Sequence, residues 1–187
     1  MNQLRIAVIT ASTRPTRVGP QVTDWVMGHL RTRSDAAYEV IDLLDVGLPF
    51  LDEPEPASSG HYTKAHTHDW AATIDGYDGF LFVTPEYNRG MPAPLKNALD
   101  FLYAEWNNKA AGLVVYGSSG GLRCAEQLKS VLGELQVATV RAQVSISIYD
   151  DMADFERMTP RDFQAGNLGT TVDQLVRWSK AMRGIRR

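Results

Sequence analysis

The sequence predicts an α/β protein, a doubly wound parallel sheet of five strands with helices on both faces, and three observations carry that expectation. Five short runs rich in Val, Ile and Leu recur along the chain. Several lack the strict alternation of a strand with one wet face, as strands do when helices cover both sides of a sheet. Between them lie stretches whose apolar residues repeat at three- and four-residue spacing, so strand, loop and helix alternate about five times.

"LRIAVIT" (4–10) supplies the first strand, and Val22, Val26 and Leu30 give a helix over 20–31 by their i, i+4, i+8 spacing. "YEVIDLL" (38–44) is the second strand. "PFLDEPEPASSGH" (49–61), rich in Pro, Ser and acids, then breaks the rhythm and reads as a surface loop. "GFLFVT" (79–84) is the third strand, followed by a helix over 92–103 carrying Leu95, Ala98, Leu99 and Leu102. Pro92 and Pro94 suit its start, because first-turn N–H groups have no intrahelical acceptor to lose. "AGLVVYG" (111–117) leads into a helix over 121–136 with Leu128, Val131, Leu132 and Leu135 on one face. "VRAQVSISI" (140–148) is the fifth strand, 150–167 reads as a second surface loop, and a closing helix near 168–183 carries Val172, Leu175 and Val176. No internal repeat or domain boundary is visible, so residues 1–187 are expected to form one domain.

A charged fraction of 22% and a net charge of -3 give no reason to expect a nucleic-acid or membrane surface, which leaves small molecules or copies of the chain itself as partners. One cysteine, Cys124, cannot form an internal disulfide, and no Cys/His spacing resembles a zinc site. No charged-then-apolar leader precedes "LRIAVITAS" and no apolar run approaches the roughly 18 residues of a membrane span, so a cytoplasmic location is expected.

In open α/β sheets ligands bind beyond the carboxyl ends of the strands, where strand order reverses. Three loops are then privileged: "TASTRPTRVGPQ", "TPEYNRGMP" and "YGSSGGLR". In the first, the hydroxyls of Thr10, Ser12, Thr13 and Thr16, the guanidinium groups of Arg14 and Arg17, and a helix N-terminus near Gly19 or Pro20 together make an anion site matched to a phosphate. The loop lacks both G-x-G-x-x-G and G-x-x-x-x-G-K-[ST], which disfavours a dinucleotide or a triphosphate and leaves a terminal monophosphate.

Other chemistries fail on order or on residue type. "GSSGG" (117–121) matches G-x-S-x-G, yet His29, His61, His66 and His68 all precede Ser119, against the Ser, acid, His order of that hydrolase fold. A phosphoacceptor pocket needs acids where the chain has Thr10 to Ser12 and Thr84-Pro85. His61, His66 and His68 read as solvated loop residues rather than metal ligands, and Cys124 as a packing residue. A bound cofactor that brings its own chemistry is the economical explanation of what remains.

"ASTRPTRVGPQV", "TPEYNRGMPAPLKNALDFL" and "VVYGSSGG" resemble, in order and spacing, the NAD(P)H-dependent FMN reductase family of flavodoxin-like flavoproteins. The resemblance extends over roughly 4–136, and Pro-Glu-Tyr-Asn followed by Pro-x-x-Leu-Lys-Asn-Ala-x-Asp is its most specific part. It implies a flavodoxin-like sheet of order 2-1-3-4-5, FMN as cofactor and NADPH or NADH as co-substrate. Ser12 and Arg14, with the backbone around Gly19, Pro20, Gln21 and Val22, would hold the FMN phosphate. Ala11 stands where the family often has Gly, and Arg17 replaces a Ser or Thr, which makes Arg17 a further phosphate candidate. Pro85, Glu86, Tyr87 and Asn88 would run along the isoalloxazine and offer main-chain groups to its N5 and carbonyl edge. Tyr116, Gly117, Ser118, Gly120 and Gly121 would line its pyrimidine side.

No catalytic side chain and no metal ligand is expected, because FMN carries the chemistry. The implied cycle is ping-pong: hydride from NAD(P)H to flavin N5, then electrons to a flavin, a quinone, an azo or nitro compound, or a metal ion such as ferric iron or chromate. The alternative is an electron carrier or redox-sensing FMN module without NAD(P)H turnover, which a charge of only -3 does little to favour. The resemblance also implies a homodimer or homotetramer packed through the helix 92–103, with Phe101, Tyr103 and Trp106 suited to the interface.

Overall fold

The computed structural model describes residues 3–186. Strands β1 (Arg5–Thr10), β2 (Ala37–Asp42), β3 (Gly79–Pro85), β4 (Lys109–Gly117) and β5 (Val137–Ser147) form one sheet of order β2-β1-β3-β4-β5, parallel at every pairing. This is the flavodoxin-like arrangement that the resemblance implied.

The helices are α1 (Gly19–Leu30), α2 (Leu43–Val46), α3 (Ala65–Asp75), α4 (Ala93–Asp100), α5 (Leu122–Glu134) and α6 (Phe163–Ile185). Side chains alternate across each strand, so one strand feeds two cores. Ala7, Ile9, Phe80, Phe82, Leu113 and Val115 meet Trp70, Leu99 and Leu128 of α3, α4 and α5 on one face. Ile6, Val8, Leu81, Val83 and Val114 meet Val22, Val26, Val172 and Leu175 of α1 and α6 on the other. Both faces being covered, β3 and β4 are buried at every residue, and that is why their sequences read as unbroken apolar runs.

The structure departs from the sequence expectation in several places: Leu43 and Leu44, expected to end the second strand, begin α2, and β5 starts at Val137 rather than at 140. Helix α3 lies between the loop 49–61 and β3, where no helix was expected; its buried side is Thr67, Trp70 and Ile74, a stripe too polar to stand out as periodic. Residues 150–167 are more than a surface loop: β6 (Met152–Ala153) and β7 (Arg157–Met158) pair as an antiparallel hairpin, and α6 already begins at Phe163. Phe101 and Trp106 are fully buried in the core and do not form a subunit surface. Trp106 packs edge-on to Phe80 with centroids 4.8 Å apart and donates Nε1–H to the Leu99 carbonyl at 3.2 Å. No helix among the described residues is long and apolar enough to cross a membrane.

Candidate active site

From β1 the chain goes to β2 on one side, while β3 sits on the other, so the loops after β1 and β3 part above their carboxyl ends. The β1 loop is tied down before it turns. The Thr10 and Thr23 hydroxyls share a 2.6 Å hydrogen bond between β1 and α1, and Tyr116 at the end of β4 donates its hydroxyl to Ser12 Oγ at 3.3 Å. Ser12 is fully buried. A Cβ at Gly19 would run into Ser12 Oγ and come within 3.0 Å of the Tyr116 hydroxyl, so a side chain there would have to push the Ser12–Tyr116 pair aside. Burial raises the Tyr116 pKa, with the Ser12 bond opposing, and the phenol stays a proton donor at neutral pH.

Arg14 and Arg17, equivalent in the sequence, have different environments. Arg17 makes two 2.7 Å bonds to the Asp42 carboxylate and also donates to the Ser12 carbonyl, so its guanidinium is committed to holding the loop from beneath. It is not free for a phosphate. Arg14 lines the crevice, and its guanidinium makes no hydrogen bond or ion pair with the described residues. At the start of α1, Pro20 has no N–H, and the Val22 amide donates to the Val18 carbonyl at 3.2 Å while its side chain packs in the core. Those two residues offer nothing to an anion. The amides of Gly19 and Gln21 have no acceptor among the described residues.

In the β3 loop, Glu86 donates its amide to the Tyr116 carbonyl at 2.8 Å, while its side chain, 6% exposed, reaches α5. Its carboxylate accepts from the amides of Arg123 (3.0 Å) and Cys124 (3.3 Å) and from Arg123 Nη1 (3.0 Å). Gly121 is the cap residue of α5 and has no side chain to serve those first-turn donors, so Glu86 takes the part of a Ser or Asp cap from another element. Glu86 therefore builds the site rather than facing a ligand with its charge. Tyr87 and Gly90 exchange two 2.9 Å backbone bonds around Asn88 (φ 48) and Arg89 (φ 71), a tight turn that leaves the amides of Asn88 and Arg89 without acceptors among the described residues.

The β4 loop turns on Gly120 (φ 67) and Gly121 (φ 74). A Cβ at Gly121 would lie 2.7 Å from the Tyr116 nitrogen, and one at Gly117 would lie 3.1 Å from Glu86 Cβ. Glycine at 121 thus lets the loop fold back on its own strand, and glycine at 117 lets it pack closely against Glu86 of the β3 loop. Cys124 lies buried under this junction, its thiol pushed by burial up to about 11, and it is no thiolate at neutral pH.

These loops enclose a cavity of about 350 Å³. Of the residues that the sequence reading named as flavin contacts, Arg14, Pro85, Glu86, Tyr87, Tyr116, Gly117 and Ser118 line this cavity, whereas Ser12, Gly120 and Gly121 are buried outside its lining. Sequence reasoning missed Val18, Ile148 and Phe155. The only signal for Phe155 was an aromatic residue within an otherwise polar segment beyond the fifth strand.

An unpaired guanidinium and free first-turn amides match a phosphate, tyrosine and proline faces match a flat ring, and unpartnered turn amides match a carbonyl edge. The donor set fits FMN. Arg14 and the α1 amides would hold its phosphate, and the loops after β3 and β4 its ring.

Residues 4–151 match the family model described as NADPH-dependent FMN reductase. An NAD(P)H-dependent FMN reductase of Schizosaccharomyces pombe is 45% identical over 151 residues, covering 79% of this chain and 74% of that protein. A 2-hydroxy-1,4-benzoquinone reductase of a Burkholderia species is 32% identical over 109 residues, 58% of this chain and 55% of that one. The solved structure of FerB, a flavoenzyme NAD(P)H:(acceptor) oxidoreductase from Paracoccus denitrificans, superposes with a TM-score of 0.70 over 96% of this chain and 98% of its own, at 21% identity, a likeness of fold. With its fold, its crevice and a family match over most of its length agreeing, the chain belongs to the NADPH-dependent FMN reductases, flavodoxin-like oxidoreductases with FMN as cofactor.

Proposed function

We propose that the chain, working as one FMN-binding domain, takes hydride from NADPH or NADH in one half-reaction and delivers the electrons to a small acceptor in a second. FMN, when bound, supplies the centre that accepts and releases the electrons. The chain's own residues bind and orient. Arg14 neutralises the phosphate with the help of the α1 dipole, while the turn amides of Asn88 and Arg89 offer donors to a ring edge on which negative charge develops.

A ping-pong order is supported by the size of the crevice, about 350 Å³, close to the ~300 Å³ lower bound of ligand sites. Two substrates beside a cofactor have little room to bind together. The acceptor class follows the activities of the relatives, a flavin or a quinone first, with azo and nitro compounds or a ferric or chromate ion as further flat or diffusible oxidants.

The observation that carries this reading is the unpaired Arg14 guanidinium beside free first-turn amides. Arg14→Ala should weaken FMN binding about tenfold, the scale of one charge-assisted hydrogen bond, without shifting the unfolding midpoint. Equilibrium titration of apoprotein with FMN measures it, and an unchanged Kd would remove the phosphate assignment. Steady-state oxidation of NADPH, with and without a quinone, tests the turnover; a yellow protein that oxidises no nicotinamide would be an electron carrier instead.

A homodimer or homotetramer through α4 is part of the proposal, as is a cytoplasmic location, which suits the lone reduced Cys124. Asn97 of α4 donates to the Pro49 carbonyl and accepts from the Leu51 amide, holding up Phe50, 86% exposed, beside it. With Leu44, 50% exposed, and Pro94 of α4 lining the same hollow, Phe50 completes an apolar patch, and such a patch favours self-association. Phe50→Asp should lower the sedimentation mass, and an unchanged mass would exclude that face.

A further inference from the structure

Phe155 and Tyr149 stand at the mouth of the crevice with rings 58% and 64% exposed, in edge-to-face contact at 5.6 Å and 87°. Phe155 lines the same cavity as Arg14 and Tyr87, and the function assigned to the loops after β1, β3 and β4 gives it nothing to do.

Its backbone is unusual. Asp154 (φ 54) and Phe155 (φ 60) are the central residues of a turn closed by the Glu156 amide on the Ala153 carbonyl at 3.1 Å. A turn with two left-handed residues prefers Asn-Gly, and a bulky side chain at the second position is held there against its own preference.

The hairpin that presents it is fixed at both ends. Gln21, in the first turn of α1, donates its side-chain Nε2 to the Glu156 carbonyl at 2.7 Å and accepts at Oε1 from the Met158 backbone amide at 3.1 Å. At the base, the buried Asp151 carboxylate accepts from the amides of Ser147 and Arg161, both at 2.9 Å, and from the Arg161 side chain. The backbone that carries Phe155 is therefore anchored on both sides, to α1 and to the approach to α6.

From this geometry we infer that the Phe155–Tyr149 pair is a binding ledge for the planar ring of the acceptor, and that Phe155 sets the preference for flat aromatic acceptors over compact ones. The inference rests on the proposed oxidoreductase reading. With the crevice taken up by FMN, a second substrate meets the rim, and an exposed aromatic pair there offers its ring a contact.

The test uses the FMN-loaded full chain with two acceptors, 1,4-naphthoquinone as the planar one and ferricyanide as the compact one. Phe155→Ala, assayed at saturating FMN because Phe155 also lines the cavity assigned to the cofactor, should raise the KM for the quinone about 3- to 10-fold, the range of one aromatic pair, with the ferricyanide KM unchanged. Phe155→Tyr should restore the quinone KM. Calorimetric titration with 2-naphthol, which accepts no hydride, should lose affinity by the same factor in Phe155→Ala.

Phe155→Gly separates this role from a structural one. A glycine relieves the left-handed turn, so the unfolding midpoint should stay or rise while the quinone KM still rises. A quinone KM unmoved by Phe155→Ala at saturating FMN, or an equal rise for ferricyanide, would overturn the inference. A wild-type protein that neither holds FMN nor oxidises NADPH would overturn the functional reading before this comparison begins.

Discussion

Two arginines three positions apart have divided the work of the β1 loop. Arg14 has its charge available, whereas Arg17 has given its charge to Asp42 across two 2.7 Å bonds, in a pair whose side chains are only 12% and 17% exposed. Asp42 is itself engaged twice, since the same carboxylate accepts from the Leu44 amide at 3.0 Å and starts α2. Arg17→Ala leaves a nearly buried carboxylate short of its partner and the Ser12 carbonyl short of a donor. Its expected cost is roughly 2 to 3 kcal/mol, just under the ~3–5 kcal/mol of a fully buried pair. Urea unfolding of Arg17→Ala and Arg14→Ala side by side checks this: the first should lower the midpoint and the second should not, and equal midpoints would refute the division. The sequence could not separate these residues, because the partner that decides between them comes from the end of another strand.

The hairpin β6–β7 is held by Asp151, a single acid with 0% side-chain exposure that stitches β5, the hairpin and the approach to α6 together. Burial alone pushes its carboxyl up, but the Arg161 side chain, the amides of Arg161 and Ser147 and the Gln164 side chain outweigh burial and hold it down at about 2. An unfolded Asp titrates near 3.9, so as pH falls the unfolded chain takes up the proton first. The stabilisation is then fully present above about pH 4 and is lost as pH falls through 2, roughly 2 to 3 kcal/mol in all. Asp151→Asn should lower stability at pH 7 and flatten the acid limb between pH 4 and 2; parallel acid limbs for the two proteins would refute the role. Little of this element was legible beforehand. Two-residue strands carry no periodicity, and an acid buried by long-range donors looks in sequence like any other acid in a polar loop. Helix α3 escaped for a related reason, its buried face being completed by Thr67. The long strands and α1, α4 and α5 were legible because their apolar spacing is imposed by the two cores that they fill.

At the scale of the whole molecule, the sequence revealed which loops gather at one edge of the sheet but not which groups in them remain free, since that depends on partners such as Asp42 and α5. The crevice is built from β1, β3 and β4, three adjacent strands of one continuous sheet, with α1 and α5 braced against their loops by Tyr116, Ser12 and Glu86. A ligand bound there touches segments that separate only when the sheet itself comes apart. Binding should therefore stabilise the global fold and not merely one loop, by the mass-action relation between ligand concentration and unfolding. At FMN one hundred times above its Kd the gain is ~2.7 kcal/mol, and for a chain of 187 residues that corresponds to a rise in Tm of about 5–10 °C. Calorimetric melting of FMN-free protein with and without added FMN measures the shift. Riboflavin, which has the ring but no phosphate, should give a smaller one, and Arg14→Ala should shrink the FMN shift toward the riboflavin value while leaving the riboflavin shift alone. Should Arg14→Ala reduce both shifts equally, the guanidinium would be acting on the ring or on the fold, and the phosphate end of the crevice would have to be sought elsewhere.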